Sequence, residues 1–408
     1  MKTLYRCLAA LVLAGFVWGS LPASPAHAAT INVNETADEL NGDGDCSLRE
    51  AIRAANSDST VDNCTAGSGA DTIVLASGQT YTLSLEDAGF PGDEDTAAAE
   101  DDLDITTPIT IQGNGATIQR DTMLGCNLDG TDAAGEFRIF EVSGSGNLTL
   151  QDVTVRNGCA DGIFPDSAGG GILNDIDGTL TLSNSTLSDN SAVLGGGIYN
   201  SSGTVTITNS TLSGNSADGD GGGIANADTV TITNSTLPEN GADTGGGIFN
   251  AGTLTLTDST LSDNSAFAGG GIFNGSGGTA TIANSTLSDN SAFAGGGIAN
   301  DRGTLTIANS TLSGNSADIS GGGIANEGTA TIANSTLSGN SADDGGGIAN
   351  GGTVTVTNST LSDNSASAGG GIGNDGTATI KNSIVANSTS GGNCAGTITA
   401  QGVNFDTD

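Results

Sequence analysis

Carboxylates are the most numerous residues in this chain that could take part in chemistry. Its 408 residues include 46 aspartates and glutamates, 9 lysines and arginines and a single histidine. Paired carboxylates can hydrolyse glycosides, and clusters of them can hold Ca²⁺. No pair stands out here by its spacing, so their abundance alone predicts neither activity. Histidine chemistry is excluded from the mature protein, because His27 lies in a segment that we expect to be removed.

Basic residues are few and scattered, whereas a polyuronate lyase needs them to take a proton and to bind uronate carboxylates. Arg138 and Arg156 could share a face of neighbouring strands, but we expect them to form surface ion pairs with the surrounding acids. The negative charge of the chain would also repel an anionic substrate. We therefore predict that the protein is not an enzyme, and keep a polysaccharide-acting enzyme as an alternative. The basic residues after residue 28 are Arg49, Arg53, Arg120, Arg138, Arg156, Arg302 and Lys381.

A calcium loop is the second kind of site that carboxylates could form. Asn41–Asp45 begins like the loop of an EF-hand, but Cys46 stands where glycine is needed and Ile52 where the bidentate glutamate is needed. We predict no metal site and no cofactor, and leave weak Ca²⁺ binding open because of the charge density. Two further aspartate pairs are interpreted as solvated loop charges: Asp218 with Asp220, and Asp343 with Asp344.

Residues 1–28 have the features of a secretory signal. Lys2 and Arg6 precede an apolar run from Leu8 to Val17, and Ala26-His27-Ala28 forms a cleavage site before Ala29. Removal of this segment changes the formal net charge from −37 to −39, which argues against nucleic acid and anionic membranes as partners. No later stretch is apolar for long enough to cross a bilayer. We predict an extracellular or cell-surface protein, with outer-membrane association left open.

The cysteines agree with export. Among the five that remain after signal removal, we predict disulfides between Cys46 and Cys64 and between Cys126 and Cys159, which are neighbours along the chain. Cys394 lies outside these pairs. A zinc site is not expected, because the mature chain has neither a CxxC pair nor a histidine.

A repeated phrase of 24–26 residues, shown in full by residues 204–228, organises most of the chain. Thr204 to Thr208 alternates polar and apolar residues as a half-buried strand does, and each glycine triplet is followed by isoleucine and, two residues later, asparagine. Glycine triplets and β-branched runs exclude helices. A fixed period of this length indicates a solenoid whose units gain a core by stacking. The isoleucines are Ile172, Ile198, Ile224, Ile248, Ile272, Ile298, Ile324, Ile348 and Ile372.

Columns of apolar residues indicate that the solenoid is a parallel β-helix. Residues equivalent to Val205, Ile207, Leu212 and Ile224 stay apolar through the array, as in-register stacking of strands requires. Asparagines equivalent to Asn209, Asn215 and Asn226 are expected at turns, where they tolerate left-handed backbone, and stacked copies can bond to each other. We divide the chain into the signal (1–28), a cap with irregular first coils (29–160), regular repeats (161–388) and a tail (389–408).

The N-terminal part is expected to close the open end of the solenoid. Ser47 and Glu50 form a capping box that opens a short amphipathic helix, Leu48–Ala55. An acidic insertion lies between Glu86 and Asp104, and we expect it to be exposed.

Two motifs resemble known bacterial families. Cys46–Ile52, with sequence CSLREAI, is similar to the N-terminal motif of CSLREA-domain secreted proteins. The GGGI-x-N phrases, including Phe249-Asn250 and Phe273-Asn274, resemble the repeats of chlamydial polymorphic outer-membrane proteins. That resemblance implies a right-handed parallel β-helix of the pectin-lyase-like class, exposed at a cell surface and associated with adhesion. The tail from Gly391 resembles the start of a longer family segment, so we expect a truncated C-terminus.

Function is accordingly predicted as adhesive or structural, with an unidentified surface component or glycan as partner. Paired threonines offer an alternative, because stacked Thr-x-Thr strands form a grid that resembles the ice-binding face of β-solenoid antifreeze proteins. Phe267 and Phe293 follow equivalent Ser-Ala pairs and are expected to stack on successive coils. The paired threonines begin at Thr204, Thr229, Thr253, Thr279, Thr304, Thr329, Thr353 and Thr377.

Overall fold

The computed structural model describes residues 28–85, 102–129, 136–162 and 164–406. The predicted secretory signal, except for Ala28, and the predicted acidic insertion up to residue 101 lie outside these ranges. No helix within the described residues is long and apolar enough to span a membrane.

One helix, α1 (Leu48–Ser57), lies at the N-terminal end of the fold, where the sequence predicts it. The capping box is confirmed, because the Ser47 hydroxyl accepts from the Glu50 amide and the Glu50 carboxylate accepts from the Ser47 amide at 3.0 Å. The helix runs two residues beyond the predicted end, to a left-handed cap at Asp58. Its apolar side, including Ile52, is buried.

The first coils contain strands of unequal length and a short 3-10 turn at Thr122–Leu124. Here β5 and β7 are long because each turns a corner without leaving the sheet, at a register shift where Gln112 and Ala116 flank the bend of β5. The strands are β1 (Thr30–Asn32), β2 (Asp71–Val74), β3 (Thr80–Leu83), β4 (Leu103–Ile105), β5 (Pro108–Arg120), β6 (Phe140–Val142), β7 (Asn147–Arg156) and β8 (Cys159–Ala160).

The regular coils repeat four kinds of strand, and each kind pairs in parallel with its copy in the next coil. Strands of the first kind carry the isoleucine and asparagine after the glycine triplet: β9 (Ile172–Asn174), β13 (Ile198–Asn200), β17 (Ile224–Asn226), β21 (Ile248–Asn250), β25 (Ile272–Asn274), β29 (Ile298–Asn300), β33 (Ile324–Asn326), β36 (Ile348–Asn350) and the start of β39 (Ile372–Lys381). Strands of the second kind carry the paired threonines: β10 (Thr179–Ser183), β14 (Thr204–Thr208), β18 (Thr229–Thr233), β22 (Thr253–Thr257), β26 (Thr279–Ala283), β30 (Thr304–Ala308), β34 (Thr329–Ala333), β37 (Thr353–Thr357) and the end of β39.

Strands of the third kind bury one apolar column, which is leucine except for Val385 in the last strand. They are β11 (Thr186–Ser188), β15 (Thr211–Ser213), β19 (Thr236–Pro238), β23 (Thr260–Ser262), β27 (Thr286–Ser288), β31 (Thr311–Ser313), β35 (Thr336–Ser338), β38 (Thr360–Ser362) and β40 (Ile384–Ala386). A separate seven-stranded sheet is formed by β8 with β12 (Ser191–Ala192), β16 (Ser216–Ala217), β20 (Gly241–Thr244), β24 (Ser265–Ala268), β28 (Ser291–Ala294) and β32 (Ser316–Ser320). The tail adds β41 (Cys394–Gln401) and β42 (Phe405–Asp406), which pair with β39 and β40.

The four predicted apolar columns form the core. Val205 pairs with Val230 and Ile207 with Ile232, and these side chains are fully buried. Because every coil places the same column at the same depth, one continuous core runs through the described coils. The sequence prediction of in-register stacking is confirmed.

Two buried ladders of asparagine side chains run alongside this core. Asn200 Nδ2 donates to Asn226 Oδ1 at 2.8 Å, and equivalent bonds link the first ladder from Asn174 to Asn374. A second ladder runs in the same way from Asn190 to Asn364. The predicted asparagine-to-asparagine bonding is therefore confirmed, and it satisfies amides that would be costly to bury alone.

The third asparagine position, represented by Asn209, differs from the other two. It is exposed and left-handed, with φ 51°. Its copies are joined by side-chain bonds of uneven length, 2.6 Å from Asn234 to Asn209 but 3.3 Å from Asn309 to Asn284. Next to it, a buried serine ladder links Ser210 N to Ser235 Oγ at 3.1 Å and repeats in the neighbouring coils. This serine ladder was not predicted from the sequence.

Candidate functional site

A column of threonines spans the described fold from its first strand to its tail. Each member pairs in register with the next, across irregular and regular coils alike. The column holds Thr30, Thr72, Thr110, Thr149, Thr181, Thr206, Thr231, Thr255, Thr281, Thr306, Thr331, Thr355, Thr379 and Thr399.

A second column lies two residues earlier on the same strands of the regular coils. It holds Thr179, Thr204, Thr229, Thr253, Thr279, Thr304, Thr329, Thr353 and Thr377. We call the two columns together the threonine face. Neighbouring members are about 4.8 Å apart across coils and about 6.7 Å apart along a strand.

The threonine face is accessible because side chains alternate along a strand. In β26, Thr279 and Thr281 are exposed, while Ala280 and Ile282 between and beyond them are buried in the core. None of the threonines in the two columns is buried. Each position carries a hydroxyl and a methyl group and no charge, so the face can offer repeated hydrogen bonds and apolar contacts to a flat partner.

Charges lie at the margin of the threonine face rather than on it. The Thr229 hydroxyl donates to Asp228 at 3.1 Å, and exposed Arg302 is 3.4 Å from Asp301 in the turn before β30. Because the two threonine columns themselves carry no charge, a neutral partner meets the face without opposing charge.

The repeat predicted the paired threonines from Thr204 to Thr379, but not Thr179, Thr181, Thr399 or those of the first coils. Thr30, Thr72, Thr110 and Thr149 are separated by loops of unequal length, so no fixed period reveals them. A local signal exists, because each is followed directly by a buried isoleucine or leucine.

An exposed aromatic pair lies on the separate sheet. The rings of Phe267 and Phe293 stack with centroids 4.7 Å apart, which confirms the predicted contact between successive coils. Phe267 is 62% exposed and Phe293 is 37% exposed. The pair forms a small apolar patch.

Carboxylates gather in the loop before α1. Oxygens of Glu39, Asp43 and Asp45 lie within 4.8 Å of one another, and so do oxygens of Asp45, Glu50 and Asp62. Burial raises the pKa of Asp45, and the negative charge of Asp43 raises it further. Oxygen donors of this kind suit Ca²⁺. The calcium-loop comparison pointed to Asn41–Asp45 but not to Glu39 or Asp62, and the helix carboxylate comes from Glu50 rather than from the position of Ile52.

The prediction that Arg138 forms a surface ion pair is wrong. Its side chain is 3% exposed, and its guanidinium binds Asp102 at 2.9 Å and Glu141 at 3.0 Å. The reason is that β6 lies between β4 and β9, so the arginine is enclosed by neighbouring coils. Arg156 lies on β7 instead and donates to Gln119 at 2.8 Å. The two arginines do not form a common site.

Arg49 is also buried, and it ties α1 to the first coils. Its Nε atom lies 2.7 Å from Asp38 Oδ1, and Nη1 donates to the Asp102 carbonyl at 3.1 Å. Asp38 additionally accepts from the backbone amides of Ser84 and Leu85. This arginine therefore stabilises the cap and is not exposed to a substrate.

A shallow cleft of about 220 Å³ opens beside Arg120. Burial lowers the pKa of Arg120, whose Nε donates to the Asn157 carbonyl at 3.0 Å. The described residues that line the cleft include one carboxylate, Asp189.

Both predicted cysteine pairs are disulfide-bonded in the structure. Cys46 is joined to Cys64 and Cys126 to Cys159. The first bond links the start of α1 to the loop that follows the helix. The second fastens the loop after β5 to β8.

Comparison with known proteins bears on the fold. A family model described as right handed beta helix region matches residues 138–312, and no curated protein matches the chain. Among solved structures, the chain is similar to PfbA, a surface adhesin of Streptococcus pneumoniae, with 11% sequence identity over 82% of this chain and 84% of that one and a TM-score of 0.36. Together, the family match and the parallel stacking of the coils identify the fold as a right-handed parallel β-helix.

Proposed function

We propose that this protein is a non-catalytic secreted or cell-surface β-helix with an adhesive or structural role, and that the threonine face is its contact surface. The observation that carries the proposal is the register of the threonine columns, which stays unbroken through coils of unequal length. Identical groups at a fixed repeat can bind a partner with a matching repeat many times over, so weak contacts add to a strong one.

The state of the basic residues supports the non-catalytic part of this proposal. Arg49 and Arg138 are buried in ion pairs, and Arg120 is bonded to backbone. These three cations hold the first coils together, which leaves them unsuited to binding a uronate. Arg302 is exposed, but it lies in a regular coil that is distant in sequence from Arg49, Arg120 and Arg138.

A neutral surface, such as an uncharged glycan, is the partner that fits best. The threonine face carries no charge, while the formal net charge, −37 for the full chain and −39 after signal removal, would repel anionic polymers. The predicted signal and the two disulfides support a location outside the cytoplasm. The resemblance to polymorphic outer-membrane repeats adds the expectation of adhesion.

A binding screen of residues 29–408 against immobilised neutral glycans and cell-surface components, with and without Ca²⁺, tests the proposal. Replacing Thr281 and Thr306 together by lysine should weaken binding at least about tenfold, because two bulky charges interrupt the face. The matched control replaces Thr286 and Thr311, which are paired threonines of the third kind of strand. Equal losses in both variants would contradict the proposal, and loss on chelation alone would move the site to the carboxylates before α1.

Ice is a second candidate partner that the same face favours. A two-dimensional grid of hydroxyl and methyl groups, about 4.8 Å by 6.7 Å, can order water in a repeating layer. Thermal hysteresis and ice shaping by residues 29–408 would support this function, and the Thr281 and Thr306 double variant should abolish both effects. Ice shaping that survives that variant would exclude the threonine face as the ice-contacting surface.

A further inference from the structure

A buried carboxylate beside the first strand has no role in the proposed function. Asp71 is 1% exposed, and its Oδ1 atom accepts from the backbone amides of Ala29 and Ser68, each at 2.9 Å. Its Oδ2 atom is buried and has no hydrogen-bond partner. A buried carboxylate oxygen without a donor is costly, and such groups normally have a partner.

We propose that Asp71 is a built binding site for the α-ammonium group that signal removal creates at Ala29. Ala29 is the first residue after the predicted cleavage site, and the backbone nitrogen of Ala29 contacts the Asp71 carboxylate. The inference rests on the predicted export of the chain and is independent of the threonine face.

Strand pairing fixes the two partners next to each other. Thr30 pairs with Thr72, so Ala29 lies directly opposite Asp71. The Thr72 amide donates to the Ala29 carbonyl at 2.9 Å, which extends the ladder to this position. Ala28, by contrast, is exposed. The Ala28–Ala29 peptide bond is therefore accessible, whereas the Ala29 nitrogen already contacts Asp71.

The pocket around the second oxygen is closed on its far side. A side-chain carbon added to Gly67 would collide with Asp71 Oδ2 and would lie 2.8 Å from the Ala55 Cα atom. The carboxylate is thus held between the end of α1 and the start of β1. The Gly67 and Ala55 backbones close that side of Oδ2, and the Ala29 nitrogen already contacts the other oxygen of the same carboxylate.

Cleavage changes the chemistry of the Ala29 nitrogen in the required direction. Water adds across the Ala28–Ala29 peptide bond, the Ala28 carbonyl leaves as a carboxylate, and the Ala29 nitrogen takes up protons to become an ammonium group. An amide has one hydrogen and no charge, so it serves one oxygen. The ammonium has three hydrogens and a positive charge, so it can serve both oxygens and neutralise the buried carboxylate.

It follows that the processed chain docks β1 more firmly than the unprocessed chain does. Until the signal is removed, the first coil holds an uncompensated carboxylate. After removal, the same carboxylate anchors the N-terminus. Processing thereby stabilises the end of the β-helix at which α1 forms the cap.

Two chains that differ by one residue test this inference. One begins at Ala29 and the other at Ala28, and both are released from a fusion that leaves no extra residue. Each is made with Asp71 and with Asp71→Asn. In every chain the amines are the N-terminal nitrogen and Lys381, the sole lysine after residue 28, so native-state amine labelling read by mass spectrometry carries an internal standard.

We expect the Ala29 amine to be labelled about tenfold more slowly than the Ala28 amine, relative to Lys381. We also expect the Ala29 chain to melt about 2 °C or more above the Ala28 chain. Both differences should disappear with Asp71→Asn. Equal labelling and melting of the two Asp71 chains would overturn the inference, and so would differences that persist with asparagine.

The test does not depend on whether Asp71→Asn folds. The two chains that keep Asp71 already show whether the Ala29 amine is protected from labelling. N-terminal sequencing of the exported protein separates this inference from the predicted export. A different native N-terminus would refute the predicted cleavage, while the labelling result reports on the Asp71 site itself. Neither measurement depends on ligand binding by the threonine face.

Discussion

Replacement of Asn290 by alanine is expected to lower the free energy of unfolding by about 3–6 kcal/mol, because it leaves several buried polar groups without partners. Asn290 is fully buried. Its Oδ1 atom accepts from the backbone and side-chain nitrogens of Asn264, at 3.0 and 2.8 Å. Its Nδ2 atom donates to the Leu261 carbonyl at 3.1 Å and to Asn315 at 2.9 Å. Alanine can replace none of these bonds, and the cavity it leaves is small.

The matched control for Asn290 is Asn284 of the same coil. Asn284 is exposed, adopts φ 52° and takes part in a 3.3 Å bond from Asn309. Asn284→Gly keeps the left-handed backbone and should cost no more than about 0.5 kcal/mol. Urea unfolding followed by far-ultraviolet circular dichroism measures the free energy of unfolding of both variants. Similar losses for Asn290→Ala and Asn284→Gly would show that the buried ladder is not a main source of stability.

Replacement of Gly296 by alanine is expected to cost about 5 kcal/mol or more and to prevent the adjoining coils from stacking. A side-chain carbon at Gly296 would lie 2.6 Å from the Gly322 carbonyl oxygen and would also overlap Ser316 in the next coil. Both obstacles are backbone, which cannot move aside while the coils remain about 4.8 Å apart. The second glycine of each triplet is therefore required by the approach of two backbones.

Gly241 provides the contrasting substitution. A side-chain carbon there would find Ser265 Oγ at 3.5 Å as its nearest neighbour, and the paired positions of adjoining coils hold serine at Ser216 and Ser265. Gly241→Ala should raise the free energy of unfolding by about 0.4–1 kcal/mol, because it restricts the unfolded chain. Thermal melts of Gly296→Ala and Gly241→Ala should move in opposite directions. A folded Gly296→Ala protein with an unchanged melting temperature would refute the packing argument.

The regular coils could be predicted because the same pattern of buried and exposed residues repeats in each of them. Alternation in Thr204 to Thr208 sets which side chains face inward, and a nearly constant repeat sets the register of every following strand. The capping box at Ser47 and Glu50 could also be predicted, since it depends on residues three apart. In these parts, local sequence and overall fold give the same answer.

The rest depends on contacts that no local pattern encodes. Arg138 is buried because Asp102 reaches it from another coil, across a segment of irregular length. The carboxylates before α1 meet because the disulfide between Cys46 and Cys64 brings Asp62 back towards the helix start. In the same way, the first four threonines of the long column join the threonine face through strand pairing and not through spacing.

The buried asparagine ladders give the β-helix an electrical direction. From Asn174 to Asn350 in the first ladder and from Asn190 to Asn340 in the second, each side-chain amide donates to the asparagine of the following coil. These amide dipoles therefore point the same way along the stack, whereas a β-sheet has only a small net dipole. A side-chain amide dipole similar to that of a peptide, about 3.5 D, repeated every 4.8 Å places at most about 0.15 of an elementary charge at each end of a ladder. The positive end of each ladder lies towards the tail. The negative end of the first ladder lies at Asn174, whose Oδ1 atom is buried without a hydrogen-bond partner, and that of the second lies at Asn190, whose Oδ1 atom accepts from the Gly158 amide at 2.9 Å. Turning one amide around would break the bonds on both of its sides, so the polarity of a ladder is a property of the whole stack.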